Sequence, residues 1–323
     1  MPSLIIDTDP GVDDAFAIAL ACAMPEVTLL GVTAVFGNVP LAMTTRNARR
    51  LLAFLGREDV PVGIGAAHPL VHPQVHEAYD VHGSDGLSGR ADTLPEPRAR
   101  ASDVDAVTLM ARLLEAADEP VTIVPIGPLT NVALLLAAHP RLAEKIDRLV
   151  IMGGGLAHGN TTPAAEFNLW SDPEAAQRVL AVEQVPVTLV PLDLTLRCTV
   201  DKAWLTALAE SGPIGAALAG FSADTYAYYS EFLGRDGVPI HDAVAVAEAA
   251  VPGLLRTAAM PVEVDCSYGP GRGGLIADQR PEGRRRGQPT DRRPVEVAME
   301  PTDGVDKLRE LLLTRLSALH PIV

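Results

Sequence analysis

The chain has 323 residues, 48% of them hydrophobic and 21% charged, which excludes the disordered and bilayer-spanning classes and describes an ordinary globular protein. Its formal net charge of −15 opposes nucleic-acid phosphates and anionic membranes and leaves neutral small molecules and cations as the expected ligands. The N-terminus lacks a basic segment followed by an apolar core, and Cys22, Cys198 and Cys266 have no zinc or redox spacing, so buried reduced thiols in a cytoplasmic protein are expected.

Residues 4–6 are a short apolar run that reads as a buried strand. There follows Asp7-Thr8-Asp9-Pro10-Gly11-Val12-Asp13-Asp14, four aspartates in eight residues, with Pro10-Gly11 marking a tight turn and residues 15–21 reading as a helix. Residues 27–35 predict a second strand ending at Phe36-Gly37-Asn38, residues 44–55 a helix, and residues 62–65 a short strand. Residues 68–100 hold many Pro, Gly and His without periodicity, a loop long enough to suggest function. Ser102-Asp103-Val104-Asp105 reads as a capping box for a helix to about residue 117.

A strand at 121–126, a helix at 129–138 and a strand at 149–152 running into Gly153-Gly154-Gly155 come next. Asp172-Pro173-Glu174 opens a helix, residues 185–192 form a strand, and residues 200–233 and 242–250 are helical. Strands at 261–266 and 294–299 and a helix at about 304–319 complete the chain. With no linker or repeat, this alternation predicts one α/β domain over residues 1–323, an open, mostly parallel central sheet flanked by helices.

Asp9, Asp13 and Asp14 converge where a strand ends and a helix begins, the end of an α/β unit where ligands bind. Carboxylates pressed together repel unless a cation joins them, and hard cations choose all-oxygen sites. A helix N-terminus alone would favour Asp13 and Asp14 but explains Asp7 and Asp9 poorly. Gly153-Gly154-Gly155 lacks dinucleotide-binding spacing and reads as a turn where backbone passes close to a ligand. Asn160, Glu166 and Asn168 together could hold vicinal hydroxyls, as on a sugar, or could be loop and cap residues.

His241 could donate a proton and Asp242 could be an N-cap or a distant metal ligand. His82, in the long loop, could supply a second histidine. Tyr226, Tyr228 and Tyr229 offer aromatic faces to a planar base, although core packing is favoured for at least two of them. Arg280, Arg284, Arg285, Arg286, Arg292 and Arg293 are read as a solvated loop and not as a nucleic-acid surface.

Asp7-Thr8-Asp9-Pro10-Gly11-Val12-Asp13-Asp14, Gly37-Asn38, His82-Gly83, Met152-Gly153-Gly154-Gly155, Glu166-Phe167-Asn168 and His241-Asp242 together resemble the inosine–uridine preferring nucleoside hydrolases, in order from residue 4 to about 276. The resemblance implies bound Ca²⁺ and hydrolysis of the N-glycosidic bond of ribonucleosides. It implies Ca²⁺ ligation by the carboxylates of Asp9, Asp14 and Asp242 and the carbonyl of Ile126, with Asp9 also the general base. Asp13, Asn160, Glu166 and Asn168 would hold the ribose, and Asn38, Met152 and Phe167 would line the pocket. His241 would be the acid at the leaving base, with His82 and Tyr229 nearby. The resemblance also implies a homo-oligomer, tetramer or dimer.

Two other readings compete. A metal-dependent phosphohydrolase also places Asp-x-Asp after its first strand, but Pro10-Gly11-Val12-Asp13-Asp14 is not that pattern. A non-catalytic nucleoside- or ribose-binding protein would bind ligand without releasing base. Base preference is not legible in the residues.

Overall fold

The computed structural model describes residues 1–72, 76–98, 104–231, 234, 236–280 and 294–320. Strand β1 (Ser3–Thr8) is buried at every position from Leu4 to Thr8. Burial on both faces is what the centre of a parallel sheet imposes, and it explains an apolar run without alternation. There follow β2 (Thr28–Ala34), β3 (Val62–Ile64), β4 (Val121–Pro125), β5 (Ile146–Met152), β6 (Val187–Val190), β7 (Leu255–Met260), β8 (Val262–Val264), β9 (Leu275–Ala277) and β10 (Val295–Pro301).

Eight strands form one sheet in the order β3-β2-β1-β4-β5-β6-β10-β7. Every neighbouring pair is parallel except β10 and β7. Strands β8 and β9 pair separately as an antiparallel ribbon. The expected α/β class is the observed one: a single-domain, mostly parallel sheet with helices on both faces. Helices Val12–Ala23, Leu41–Phe54, His241–Ala250 and Val305–Ser317 bury one face. Helices Ala106–Ala116, Thr130–Ala138 and Pro173–Leu180 bury the other.

The chain steps from β1 to β2 on one side and later returns to β4 on the other. Strand order therefore reverses at β1, which opens a crevice at the C-terminal strand ends. Asp7 stands opposite Thr33 of β2 and Pro125 of β4. That register sets Asp9, the turn at 36–38 and the turn at 126–128 beside one another.

Several sequence expectations need correction. Residues 68–100 contain a helix, Tyr79–His82, and a 3₁₀ turn, Ala91–Thr93. Between them the Asp85 carboxylate accepts from the N–H groups of Leu87, Gly89 and Ala91. Ser102 and Asp103 lie outside the described residues, and the N-cap of the next helix is Asp105, accepting from Thr108 N at 2.8 Å. The helical pattern over residues 200–233 is borne out by three helices, Lys202–Glu210, Pro213–Phe221 and Ala223–Glu231. Strands β7 and β9 were not expected, because Ala258-Ala259 in β7 and the three-residue length of β9 give little β signal. Of the Arg-rich segment only Arg280 is described. Cys198 is buried, while Cys22 and Cys266 are half-buried. Among the described residues no helix is long and apolar enough to cross a membrane.

Helix His241–Ala250 is buried throughout and is anchored at its far end by Glu248. The Glu248 carboxylate accepts from Gly253 N at 3.1 Å, Leu255 N at 2.8 Å and the Arg148 guanidinium at 3.4 Å. Glu248→Ala would leave the N–H groups of Gly253 and Leu255 without an acceptor and Arg148 without its ion pair, and the expected loss is about 2–4 kcal/mol in urea unfolding. An unchanged midpoint would mean that water replaces the carboxylate.

Candidate active site

The site is built on the turn after β1. Asp9, Asp14 and Asp242 are 0%, 0% and 3% exposed and Asp13 is 8% exposed. One oxygen each of Asp13, Asp14 and Asp242 lies within 4.8 Å of the other two. Asp14 is the best-satisfied of the four. It accepts from the Thr8 hydroxyl, from Gly11 N at 2.9 Å and from the Asn38 amide at 3.1 Å. Asp9 Oδ2 accepts from Asn38 N at 2.8 Å, whereas its Oδ1 is buried and finds no donor among the described residues. Asn38, expected as a pocket wall, thus also ties Asp9 to Asp14.

Asp9 is packed so closely that a Cβ at residue 37 would fall 1.9 Å from its Oδ2 and one at residue 127 would fall 2.5 Å from its Oδ1. Glycine at both places is a steric requirement. Asp242 does not cap its helix; the N-cap is Ile240, and Asp242 sits in the first turn facing the other aspartates.

Burial dominates the electrostatics of this cluster. Desolvation and the neighbouring Asp14 raise Asp9 well above the usual carboxylate range. The same two causes push Asp13 up to about 8. Desolvation, then repulsion by Asp13 and Asp14, raises Asp242 well above its ordinary value, and burial raises Asp14. Asp7 is pushed up to about 7 by burial, although Thr33 and Asn131 donate to it at 2.5 and 2.8 Å. Such carboxyls hold protons unless positive charge joins them, and an all-oxygen donor set fits a hard divalent cation. The close group is Asp13, Asp14 and Asp242, and Asp9 stands beside it with one oxygen that finds no donor among the described residues.

The opposite wall comes from the segment after β5. Gly154 has φ 71°, a left-handed conformation that favours glycine, and a Cβ there would meet Leu169 at 3.0 Å. The glycine turn therefore accommodates the protein's own side chains rather than a ligand. Its Gly154 N–H donates to Glu166 at 2.8 Å. Glu166 also caps helix Phe167–Ser171, accepting from Asn168 N and Leu169 N. The Asn168 amide donates to the carbonyls of Ile126 at 3.1 Å and Met152 at 3.2 Å, which leaves its oxygen for a ligand hydroxyl. Asn160 accepts from Phe167 N at 3.0 Å, leaving its amide N–H groups as donors.

His82 Nδ1 accepts from Val12 N at 3.1 Å, so the ring proton sits on Nε2. Burial pushes His82 down to about 4, which keeps the ring neutral near pH 7. His241 Nδ1 lies 2.6 Å from the Thr195 hydroxyl and its Nε2 lies 3.4 Å from the Tyr229 hydroxyl.

These walls enclose a cavity of about 550 Å³. Asp13, Asn38, His82, Ile126, Met152 and Asn160 line it, as do Glu166, Phe167, Asn168, Tyr229, His241 and Asp242. Asp9 and Asp14 lie behind this surface. Tyr228 and Tyr229 both line the cavity; Tyr229 is also buried in the core and Tyr226 packs against it, so core packing holds for two of the three, as expected.

A model of the inosine-uridine preferring nucleoside hydrolase family matches residues 4–306. The chain belongs to the nucleoside hydrolase family. It is 43% identical over 256 residues to the pyrimidine-specific ribonucleoside hydrolase RihA of Klebsiella pneumoniae (strain 342), covering 79% of this chain and 81% of that one. It resembles a solved plant nucleoside hydrolase, PpNRh1, with a TM-score of 0.91 and 32% identity over 98% of this chain and 99% of that one. A purine-preferring ribonucleoside hydrolase from Gardnerella vaginalis gives a TM-score of 0.88 and 30% identity over 98% of each chain. Membership sets aside the phosphohydrolase reading and supports a nucleoside hydrolase enzyme.

Sequence reasoning missed His76, Glu77, Asp80, His158 and Thr225 of the nucleoside hydrolase cavity wall. His76, Glu77 and His158 lie on connections between elements, where periodicity carries no signal, while Asp80 and Thr225 lie on helices Tyr79–His82 and Ala223–Glu231. It also missed Thr8 and Thr195, whose hydroxyls meet Asp14 and His241.

Raised carboxyl pKa values make folding proton-linked. Without a cation the native enzyme keeps protons that the unfolded chain releases near pH 4, so stability falls as pH rises toward about 8. We expect the melting temperature of the chelated enzyme to drop between about pH 5 and 8 and a divalent cation to remove that drop. A melting temperature independent of pH after chelation would contradict this.

Proposed function

We propose that the protein is a Ca²⁺-dependent ribonucleoside hydrolase that cleaves the N-glycosidic bond to give free base and ribose. The observation that carries the reading is the buried Asp9 oxygen without a donor, set behind three clustered carboxyls at the floor of a cavity walled by sugar-binding and base-binding groups. Asp9, Asp14 and Asp242 with the carbonyl of Ile126 would hold Ca²⁺. When bound, that ion supplies a polarised water.

Asp9 accepts the proton of the attacking water at its free oxygen. Asp13, Asn160, Glu166 and Asn168 hold the ribose, with Phe167 and Met152 beside it. Carboxylates around the sugar favour the positive charge of an oxocarbenium-like transition state more than they favour the neutral substrate. Neutral His82 offers its Nε2–H to the base, while its low pKa makes it a poor proton source. His241 is therefore assigned the acid role, donating to the leaving base beside Tyr229.

The 43% identity to a pyrimidine-specific relative supports uridine and cytidine as preferred substrates. Exposed Leu70, Val71 and Tyr268 support a homo-oligomer, and the free thiols support a cytoplasmic setting.

Asp9→Asn should reduce kcat by at least about 10³-fold, in line with removal of a catalytic base, while the circular dichroism spectrum stays that of a folded protein. Near-normal turnover would remove Asp9 from the base role. His241→Ala should slow uridine far more than p-nitrophenyl riboside, whose leaving group needs no protonation. Equal losses on both substrates would remove His241 from the acid role.

A further inference from the structure

Thr195 closes the short helix Leu192–Thr195 that follows β6, and it is 0% exposed. Its Oγ1 lies 2.6 Å from His241 Nδ1 and 3.3 Å from the carbonyl of Leu192. A carbonyl only accepts; with the hydroxyl proton on Leu192, the hydroxyl lone pair receives an N–H from His241 Nδ1. Nε2 then becomes the ring nitrogen directed at Tyr229, on the cavity side.

The turn bearing Thr195 is fastened to the sugar side of the site. Leu192 N donates to the carbonyl of Gly154 at 2.8 Å. The Asp193 carboxylate accepts from Leu156 N at 2.6 Å and Ala157 N at 3.0 Å. One short segment thus holds both the turn that leads to Asn160 and the imidazole at the base end.

We infer that Thr195 is a positioning residue for nucleoside cleavage: its hydroxyl fixes the His241 ring so that Nε2 is presented to the departing base. This rests on the acid role given to His241. Thr195 touches no substrate atom. It acts by holding Nδ1–H, so that the proton His241 gives to the base is the second one, carried on Nε2 of the imidazolium, and by removing the ring orientation in which Nδ1 would face the cavity.

The test compares Thr195→Val, which keeps shape and loses the hydroxyl, with Thr195→Ser, which keeps the hydroxyl. Thr195→Val should lower kcat on uridine by about 10–100-fold, with KM and p-nitrophenyl riboside hydrolysis changing by no more than about twofold, and Thr195→Ser should restore uridine turnover. Long-range ¹⁵N–¹H spectra of the folded full chain give a second readout, the His241 ring being assigned by its absence in His241→Gln. At a pH where the ring is neutral, the wild-type His241 should carry its proton on Nδ1 and the Thr195→Val ring should lose that preference. A neutral wild-type ring with its proton on Nε2, or equal losses on both substrates in Thr195→Val, would overturn the inference. Absence of hydrolysis of every ribonucleoside by the wild type would instead overturn the functional reading, and the ring spectrum would still decide the Thr195 contact.

Discussion

The rest of the structure depends on the confinement of Asp9, Asp13, Asp14 and Asp242 where little water reaches them. Each carboxylate removed from water costs several kcal/mol unless donors or cations replace the lost hydration. The fold supplies part of that replacement through Thr8, Gly11 N and both the backbone and the amide of Asn38. The N-terminus of helix Val12–Ala23 adds a favourable field at Asp13 and Asp14. What remains unsatisfied, Asp9 Oδ1 and the mutual repulsion of the cluster, is what a bound cation and a reacting water can use.

Such a cluster can be assembled only by bringing together distant parts of the chain. Strand β1 delivers Asp9 to the point where strand order reverses, and β4 delivers the carbonyl of Ile126 beside it. Helices Val12–Ala23 and His241–Ala250 pack directly together through small side chains, which brings Asp242 to Asp13 and Asp14. The turns after β5 and β6 are hydrogen-bonded to each other and carry the sugar-side groups and the partner of His241. Rigidity at the strand ends sets the distances across the cavity.

Much of this was legible because the first strand–turn–helix unit is local. Apolar residues, Pro10-Gly11 and the aspartates each state their place within a dozen positions, and the alternation of later segments gave the parallel sheet. Glu166 and Asn168 were legible as a pair, but not the extent to which backbone N–H groups occupy Glu166 or backbone carbonyls occupy the Asn168 amide. Roles that depend on contacts between remote segments stayed hidden. Asn38 as the link between Asp9 and Asp14, Thr195 as the partner of His241 and Tyr228 as a cavity wall are of this kind. Strand β7 was hidden for another reason: its pairing with β10 overrides an alanine-containing sequence of low strand preference.

The most direct test of the account is ribose release from uridine, cytidine, inosine, adenosine and guanosine by the enzyme, before and after prolonged chelation and again after Ca²⁺ is returned. The account predicts ribose and free base from at least one ribonucleoside, loss of both on chelation, and recovery with Ca²⁺. Turnover undiminished by complete metal removal would contradict the claim that the buried aspartates work through a bound cation.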